Sequence, residues 1–411
     1  MNDTLVMILA GGEGRRLYPL TRDRAKPAVP FGGRYRIIDF VINNFINSGF
    51  YKIKVLTQYK SDSLNKHISR GWPLSPIVDH YVDLVPAQMR TGGGWYAGTA
   101  DAVYQNMNAI DDENPQFVCI FGGDSVFKMD ISQMLKFHKK NRAALTISAI
   151  PVPLSDAHKF GIMEVDDRWN LTAFKEKPKG DVKTMPGNDG MVLASMGNYI
   201  FDHNVLAEAL CEDAKDENSS HDFGNDIIPK LMREHSKVCV YDFSKNFHPG
   251  MLETEQGYWR DVGDVDAYWR ANMDLLEITP EFNLYNKDWP MRTYNYNYPP
   301  AKFVREEQDR TGMAINSLVS EGCVISGGKL TRCVLSPNVR VNSFSQVSDS
   351  ILMEDVQIGR NAVIQKAIID KVVKIPDYAK IGVDKEEDLR RGFFVSPGGV
   401  TVVPKGAKLD V

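Results

Sequence analysis

The residues of this chain best suited to chemistry begin with a glycine-rich turn, Ala10-Gly11-Gly12-Glu13-Gly14-Arg15-Arg16-Leu17, followed closely by Arg24-Ala25-Lys26-Pro27. Glycines let a backbone bend sharply and bring its N–H groups against phosphate oxygens, while nearby cations offset the charge. The arrangement suits a polyphosphate, yet it matches neither familiar phosphate loop. A Walker A loop needs GxxxxGK followed by Ser or Thr, and a dinucleotide fingerprint needs a third glycine where Leu17 stands. Taken alone, the segment reads equally as a structural turn carrying surface arginines.

Acids follow. Gly122-Gly123-Asp124 comes directly after the apolar run Phe117 to Phe121, which makes Asp124 a candidate metal ligand. Magnesium takes one or two carboxylates together with phosphate oxygens and water. Asp261, in Tyr258-Trp259-Arg260-Asp261-Val262-Gly263, is the candidate second acid, although its spacing also fits a surface loop. Phe174-Lys175-Glu176-Lys177-Pro178 combines cations for a sugar phosphate with a carboxylate for sugar hydroxyls, and it also reads as a solvated charged face. The second glycine-bearing loop, Gly94 to Asp101, enters a helix at Thr99, a plausible N-cap, and its aromatics suit either the core or a base or sugar.

No covalent nucleophile emerges. The eight histidines form no HxxxH or HExxH pattern, and there is no GxSxG elbow. Phosphate cations, two acids for a metal and no nucleophile together point to direct in-line phosphoryl or nucleotidyl transfer, in which positioning and charge neutralisation do most of the catalysis.

Such groups need a sheet to position them. Leu5 to Leu9 reads as a strand, Arg36 to Ser48 as a helix ended by Gly49, and Lys52 to Thr57 as the next strand, which is a βαβ unit. Strand candidates recur at Phe117 to Phe121 and Ala144 to Ile150, separated by helical stretches at Thr99 to Ile110 and Ile131 to Lys140. The economical architecture is α/β with a mostly parallel, Rossmann-like sheet, whose C-terminal strand ends would carry both the glycine loop and Asp124.

The texture changes after residue 275. A polar, aromatic and proline-containing stretch includes Trp289-Pro290 and Tyr298-Pro299-Pro300. Branched apolar residues then return every six positions: Leu318, Val324 and Leu330; Val341 and Val347; Ile358 and Ile364; Ile369, Ile375 and Ile381. That period predicts a parallel β-helix, with a short-stranded antiparallel domain as the alternative because the phase slips between blocks.

The 411 residues, 43% hydrophobic and 25% charged, have room for two or three domains. A net charge of −4 with no long Lys/Arg run argues against a nucleic-acid surface. Cys119, Cys211, Cys239, Cys323 and Cys333 include no CxxC pair, so neither a zinc site nor a disulfide framework is expected. With no signal-peptide pattern and no membrane-length apolar run, a cytoplasmic protein with no membrane partner is expected.

Taken together, these stretches resemble the sugar-phosphate nucleotidylyltransferases, and more closely the bacterial ADP-glucose pyrophosphorylases, or glucose-1-phosphate adenylyltransferases. The resemblance runs through LAGGEGRRL at Leu9 to Leu17, RAKPAVPFGGRYRIIDF at Arg24 to Phe40, WYAGTADAV at Trp95 to Val103 and FGIM at Phe160 to Met163. It continues through SMGNYIFD at Ser195 to Asp202, SSHDFGNDIIP at Ser219 to Pro229, YWRDVG at Tyr258 to Gly263 and RTYN at Arg292 to Asn295. It implies a nucleotidyltransferase domain over 1–275, a connector over 276–312, and a left-handed β-helix for regulation and oligomerisation over 313–411. A homotetramer is implied as well.

By the same resemblance, ATP and α-D-glucose 1-phosphate would yield ADP-glucose and diphosphate, committing glucose to glycogen synthesis. Arg16 and Lys26 would contact the ATP phosphates, with Gly11, Gly12 and Gly14 shaping the loop. Asp124 and Asp261 would bind Mg2+. Tyr96, Gly161, Glu176, Lys177 and Ser195 would form the glucose 1-phosphate site, with Asp222 and Trp259 nearby. Arg16, Lys26, Asp124, Lys177 and Asp261 would be the catalytic set. A phosphate oxygen of the sugar phosphate is its own nucleophile, so no general base is required.

The regulatory side departs from the fructose-bisphosphate-activated members. Asp23 stands where those carry a lysine, Pro30 where they carry an inhibitor-site histidine, and Asp111-Asp112 where they carry a basic pair. Arg24, Arg36 and Lys371 remain as candidate effector cations, and the expectation is weak or absent response to fructose 1,6-bisphosphate. Another phosphorylated metabolite, and AMP, are the candidate effectors. The alternative readings are a UTP- or dTTP-dependent glucose-1-phosphate nucleotidyltransferase and a catalytically weak regulatory subunit. The intact set Lys26, Asp124, Lys177 and Asp261 argues against the latter.

Overall fold

The computed structural model describes residues 3–88, 94–304 and 310–409. Its central sheet has nine strands. Four of them, Phe117–Gly122, Thr4–Leu9, Lys52–Thr57 and Tyr81–Pro86, lie side by side in that order and run parallel, with Thr4–Leu9 buried between two neighbours. Strand Met191–Asp202 then joins antiparallel to Phe117–Gly122 and extends the sheet through Leu145–Pro153, Val238–Asp242, Gly161–Val165 and Leu171–Glu176. The parallel half is the predicted βαβ architecture, and the antiparallel half supplies a second wall. Strand Met191–Asp202 bulges between Ser195 and Tyr199 around Gly197, whose φ of +69° only glycine adopts freely.

Helix Ile37–Asn47 buries one broad apolar face against the sheet, and Gly49, at φ +84°, turns the chain back toward strand Lys52–Thr57. The helical stretch expected from Thr99 to Ile110 is broken into Thr99–Tyr104 and Met107–Glu113. The cause is Asn106, whose amide donates to the Ala102 carbonyl at 2.7 Å and to Tyr96 Oη at 2.9 Å instead of pointing to solvent.

Past helix Val265–Asp274, the stretch 276–301 contains no regular element, but it is packed rather than loose. Phe282, Trp289 and Met291 are buried in a core shared with Leu17, Phe31, Phe40 and the β-helix residues Val334, Ile351 and Ile368. Asp39, fully buried, fixes its far end by accepting from Thr293 Oγ1 at 2.6 Å, from Trp72 Nε1 at 3.0 Å and from the Arg36 N–H at 2.8 Å. It also pairs with His67 Nε2 at 2.7 Å. Burial works against the Asp39 carboxylate, but His67 and these donors hold its pKa below the ordinary range.

The C-terminal domain is a left-handed parallel β-helix whose short strands form three sheets. Its first strand, Lys302–Val304, pairs with Val324–Ser326. One face stacks Leu330 on Val347, Ile364 and Ile381; a second stacks Ile325 on Val341, Ile358 and Ile375. Two residues of the six-residue period depart from the inward face: Ile325 is fully buried while Val324 is only partly buried, and Leu318 is also only partly buried. Successive coils register Val324 with Arg340, then Gln357, then Lys374, steps of 16, 17 and 17 residues. Three ideal hexapeptides would need two or one more, and that shortfall is the phase slip in the sequence.

Candidate active site

The glycine loop leaves the C-terminal end of strand Thr4–Leu9, where Ala10 N–H donates to Leu56 O at 2.9 Å. Gly14 has φ +65°, and a Cβ there would stand 3.1 Å from both Lys26 Cβ and Thr21 Cγ2, so the loop is wrapped tightly around Lys26. A Cβ on Gly11 would meet Gln58 Cβ at 3.1 Å, whereas Gly12 faces open space. Gly14 O accepts from Thr21 Oγ1 at 3.0 Å and from Leu17 N–H at 3.1 Å, which sets the turn.

Asp124 and Asp261 are brought together by a two-stranded antiparallel ribbon, Ser125–Phe127 with Trp259–Asp261, in which Asp261 pairs with Ser125. Lys26 Nζ donates to Asp124 Oδ2 at 2.8 Å and to Asp261 Oδ1 at 3.0 Å. The Lys26 side chain is buried; burial alone would lower its pKa, but the two carboxylates outweigh it and hold the ammonium above its ordinary value. Arg16 is exposed, with Nη2 at 3.9 Å from Asp261 Oδ2. Two carboxylate oxygens converging on one cationic point are the share a protein commonly gives a magnesium ion. Among the described residues no group of three or more His, Cys, Asp or Glu side chains could cage a metal, so phosphates and water would complete the shell.

Beside this cluster lies a cleft of about 550 Å³, lined by Gly11, Gly12, Gly14, Lys26, Asp124, Tyr96, Gln58, Tyr199 and Asp222 among others. Tyr96 is held at both ends: its N–H donates to Gln58 Oε1 at 2.9 Å and its hydroxyl accepts from Asn106. Asp222 reaches the cleft as an N-cap, accepting from Gly224 N–H at 2.9 Å, Asn225 N–H at 3.1 Å and Thr99 Oγ1 at 2.8 Å. Its oxygens therefore brace helix Thr99–Tyr104 against the 223–227 turn. Gly98 allows that approach, since a Cβ there would lie 2.2 Å from His221 O.

The other expected sugar-site residues form a shelf next to the cleft. Gly161 pairs with Glu176 across two strands, and a Gly161 Cβ would stand 2.7 Å from Glu176 Oε2. Lys177, at φ +43°, places Nζ 2.7 Å from Glu176 Oε1 while its N–H donates to Phe160 O. Phe160 packs edge-on against Trp259 at 5.6 Å, which ties the shelf to the ribbon carrying Asp261. Ser195 Oγ accepts from Gly197 N–H at 3.2 Å inside the bulge.

The three candidate effector cations lie instead at the junction with the β-helix. Arg24 is 3% exposed and bonds both oxygens of Asp370, at 2.9 and 3.1 Å. Lys371 Nζ is 2.6 Å from Glu354, and burial together with Arg36 lowers its pKa to about 8 despite that partner. Arg36 donates to Ala28 O at 2.9 Å and Ser63 Oγ at 2.8 Å. Asp23 pairs with Arg22 at 3.0 Å. Gln58, Asp370 and Glu354 were not expected from the sequence; Gln58 alone had a signal, as the residue directly after strand Lys52–Thr57 at the ligand-bearing end of the sheet.

Residues 5–278 match the model of the nucleotidyl transferase family, and residues 299–403 match that of the GlmU-like C-terminal hexapeptide domain. The chain is 56% identical over 412 residues to the glucose-1-phosphate adenylyltransferase of Anaeromyxobacter sp. strain Fw109-5, with 100% of each chain covered. It is 54% identical over 409 residues to that of Thermus thermophilus and 50% over 407 to that of Deinococcus radiodurans, with 98% of each chain covered in both cases. Nucleotidyl transferases generally work with a divalent metal. No helix among the described residues is long and apolar enough to cross a membrane. With a catalytic-domain match covering well over half its length and relatives of this identity end to end, the chain belongs to the nucleotidyl transferase family, within its glucose-1-phosphate adenylyltransferase group.

Proposed function

We propose that the protein transfers the adenylyl group of ATP to α-D-glucose 1-phosphate, forming ADP-glucose and diphosphate. The observation that carries this reading is the convergence of Asp124 and Asp261 on Lys26 at the mouth of the glycine-lined cleft. The base and ribose take the cleft between Gly11 and Tyr199, and the glycine loop's N–H groups face the triphosphate. Glucose 1-phosphate takes the shelf of Gly161, Glu176, Lys177, Ser195 and Trp259. There Lys177 is the exposed cation for its phosphate.

A phosphate oxygen of the sugar phosphate attacks the α-phosphorus in line. A new P–O bond forms, the bond from the α-phosphorus to the bridging oxygen breaks, and its electron pair leaves on diphosphate. No proton must be removed, because a phosphate monoester is already ionised near neutrality. Lys26 and Arg16 offset charge on the departing phosphates, and Lys177 holds the nucleophile in line. Mg2+ held by Asp124 and Asp261 would supply the remaining neutralisation of phosphate charge.

The reading extends to a homotetramer in the cytoplasm whose junction cations Arg24, Arg36 and Lys371 bear on regulation. Weak response to fructose 1,6-bisphosphate is the expected behaviour, supported by the pairing of Arg24 with Asp370 and of Lys371 with Glu354. The test of the main reaction is diphosphate release from glucose 1-phosphate and Mg2+ with ATP, UTP and dTTP in turn. Release with ATP above the other two is expected; none with ATP, with or without phosphorylated metabolites, overturns it.

A further inference from the structure

The ribbon that sets the distance between Asp124 and Asp261 has only three residue pairs. A two-stranded ribbon of that length has little stability of its own in water, so its geometry must come from what anchors it. One end is held by Lys26. At the other end, Lys128 directly follows Phe127 and Tyr258 directly precedes Trp259, and here the protein buries a complete ion pair. Lys128 Nζ lies 2.6 Å from Glu255 Oε1, with the two side chains 3% and 2% exposed.

Both partners make further hydrogen bonds. Glu255 accepts from Asn283 N–H at 3.0 Å and Leu252 N–H at 3.1 Å, and Lys128 also donates to Asn283 O. The Glu255 carbonyl accepts from Tyr258 N–H at 3.0 Å, so the same residue fixes the entry to the second strand. Phe282 lies 4.9 Å from Lys128 Nζ and 5.2 Å from the Tyr258 ring. Burial pulls the Lys128 pKa down while Glu255 works to keep it charged.

A buried pair is weak evidence for stability, since apolar residues of similar volume are often as good. Its directional bonds, however, define one position for the strands that meet there. We infer that Lys128 and Glu255 are positioning residues which fix the register and splay of the ribbon, and through it the separation of the Asp124 and Asp261 carboxylates for a divalent ion. This rests on reading those two aspartates as metal ligands.

The experiment measures Mn2+ binding to the full-length protein by electron paramagnetic resonance, together with the metal dependence of turnover. It uses the wild type, Asp124→Asn, Glu255→Gln, Lys128→Arg and the double variant Lys128→Met with Glu255→Met. Asp124→Asn tests the underlying metal reading separately: unchanged Mn2+ affinity there defeats that reading and the inference with it. If Asp124→Asn does weaken binding, Glu255→Gln is expected to bind Mn2+ about tenfold more weakly and to need correspondingly more metal for half-maximal rate, the scale at which supporting residues act on metal sites. Lys128→Arg, which keeps the positive charge opposite Glu255, should lose less of the Mn2+ affinity than Glu255→Gln does. The double variant removes both charges together, so it keeps the measurement possible if Glu255→Gln does not fold. A folded double or single variant with wild-type Mn2+ affinity and metal dependence overturns the inference.

Discussion

Asp124 and Asp261 share one counter-ion: Lys26 Nζ stands 2.8 Å from the first and 3.0 Å from the second, and its side chain is buried while Asp124 remains open to the cleft. A buried lysine bonded to both acids draws the two carboxylates to one point. The arrangement leaves each carboxylate one oxygen outside these Lys26 bonds. Catalysis and folding therefore load different members of the cluster.

Asp124→Ala is expected to lower kcat by about 10³-fold, the scale of losing a charge that stabilises phosphoryl transfer. The fold should survive, because Asp124 is partly exposed and Lys26 keeps Asp261 as a partner. Steady-state kinetics beside a thermal melt separate the two effects. Wild-type turnover in the variant would remove Asp124 from the site.

Lys26→Met has two opposed consequences. Turnover should fall by roughly 10²-fold or more with the loss of the phosphate cation. The two carboxylates, left facing each other, repel and favour a metal ion in its place. In the absence of nucleotide, the variant should bind Mn2+ about tenfold more tightly than the wild type, read by a paramagnetic titration. Equal or weaker binding would mean that the ammonium does not hold the metal's place.

Much of this was legible in the chain. The glycine loop, the parallel βαβ order and the two acids stand at motif positions, because backbone approach to phosphate restricts which residues fit. What the sequence hid was pairing between distant positions. Nothing around Asp370 marks it as the partner of Arg24, and a lone Glu255 before Gln256-Gly257 looks like a surface acid until the fold buries it against Lys128. Ile325 was missed in favour of Val324 because coils of 16 and 17 residues drop a corner position that a strict six-residue period assumes. The helix break at Asn106 is a side-chain bond to Tyr96, which no local propensity encodes.

The Arg24–Asp370 pair joins the catalytic domain to the β-helix with both partners almost wholly buried. Asp370→Asn should destabilise the protein by about 3–5 kcal/mol, since it leaves a guanidinium buried without its counter-charge. An added anion can take the vacated role. Sulfate or fructose 1,6-bisphosphate should raise the melting temperature of the variant by more than that of the wild type. Identical shifts in the two proteins would show that Asp370 does not shield Arg24 from anions.

His138 gives the fold an acid sensitivity whose sign follows from its burial. The ring is buried, bonded through Nδ1 to Thr146 Oγ1 at 2.8 Å and packed edge-on against Phe117, with Nε2 unpartnered among the described residues. Burial lowers its pKa to about 4 from the ordinary 6.5. Above pH 6.5 the residue is neutral in both states and the shift has no effect. Between 6.5 and 4 the unfolded chain takes up a proton that the fold refuses, so stability falls as pH falls, by roughly 2–4 kcal/mol over the window at about 1.4 kcal/mol per pKa unit. His138→Gln removes the titration. Unfolding free energies of wild type and variant measured from pH 7 to pH 4 should therefore converge as the pH drops, or cross, with the wild type losing more. Parallel curves would mean that His138 protonates in the folded state as readily as in the unfolded chain.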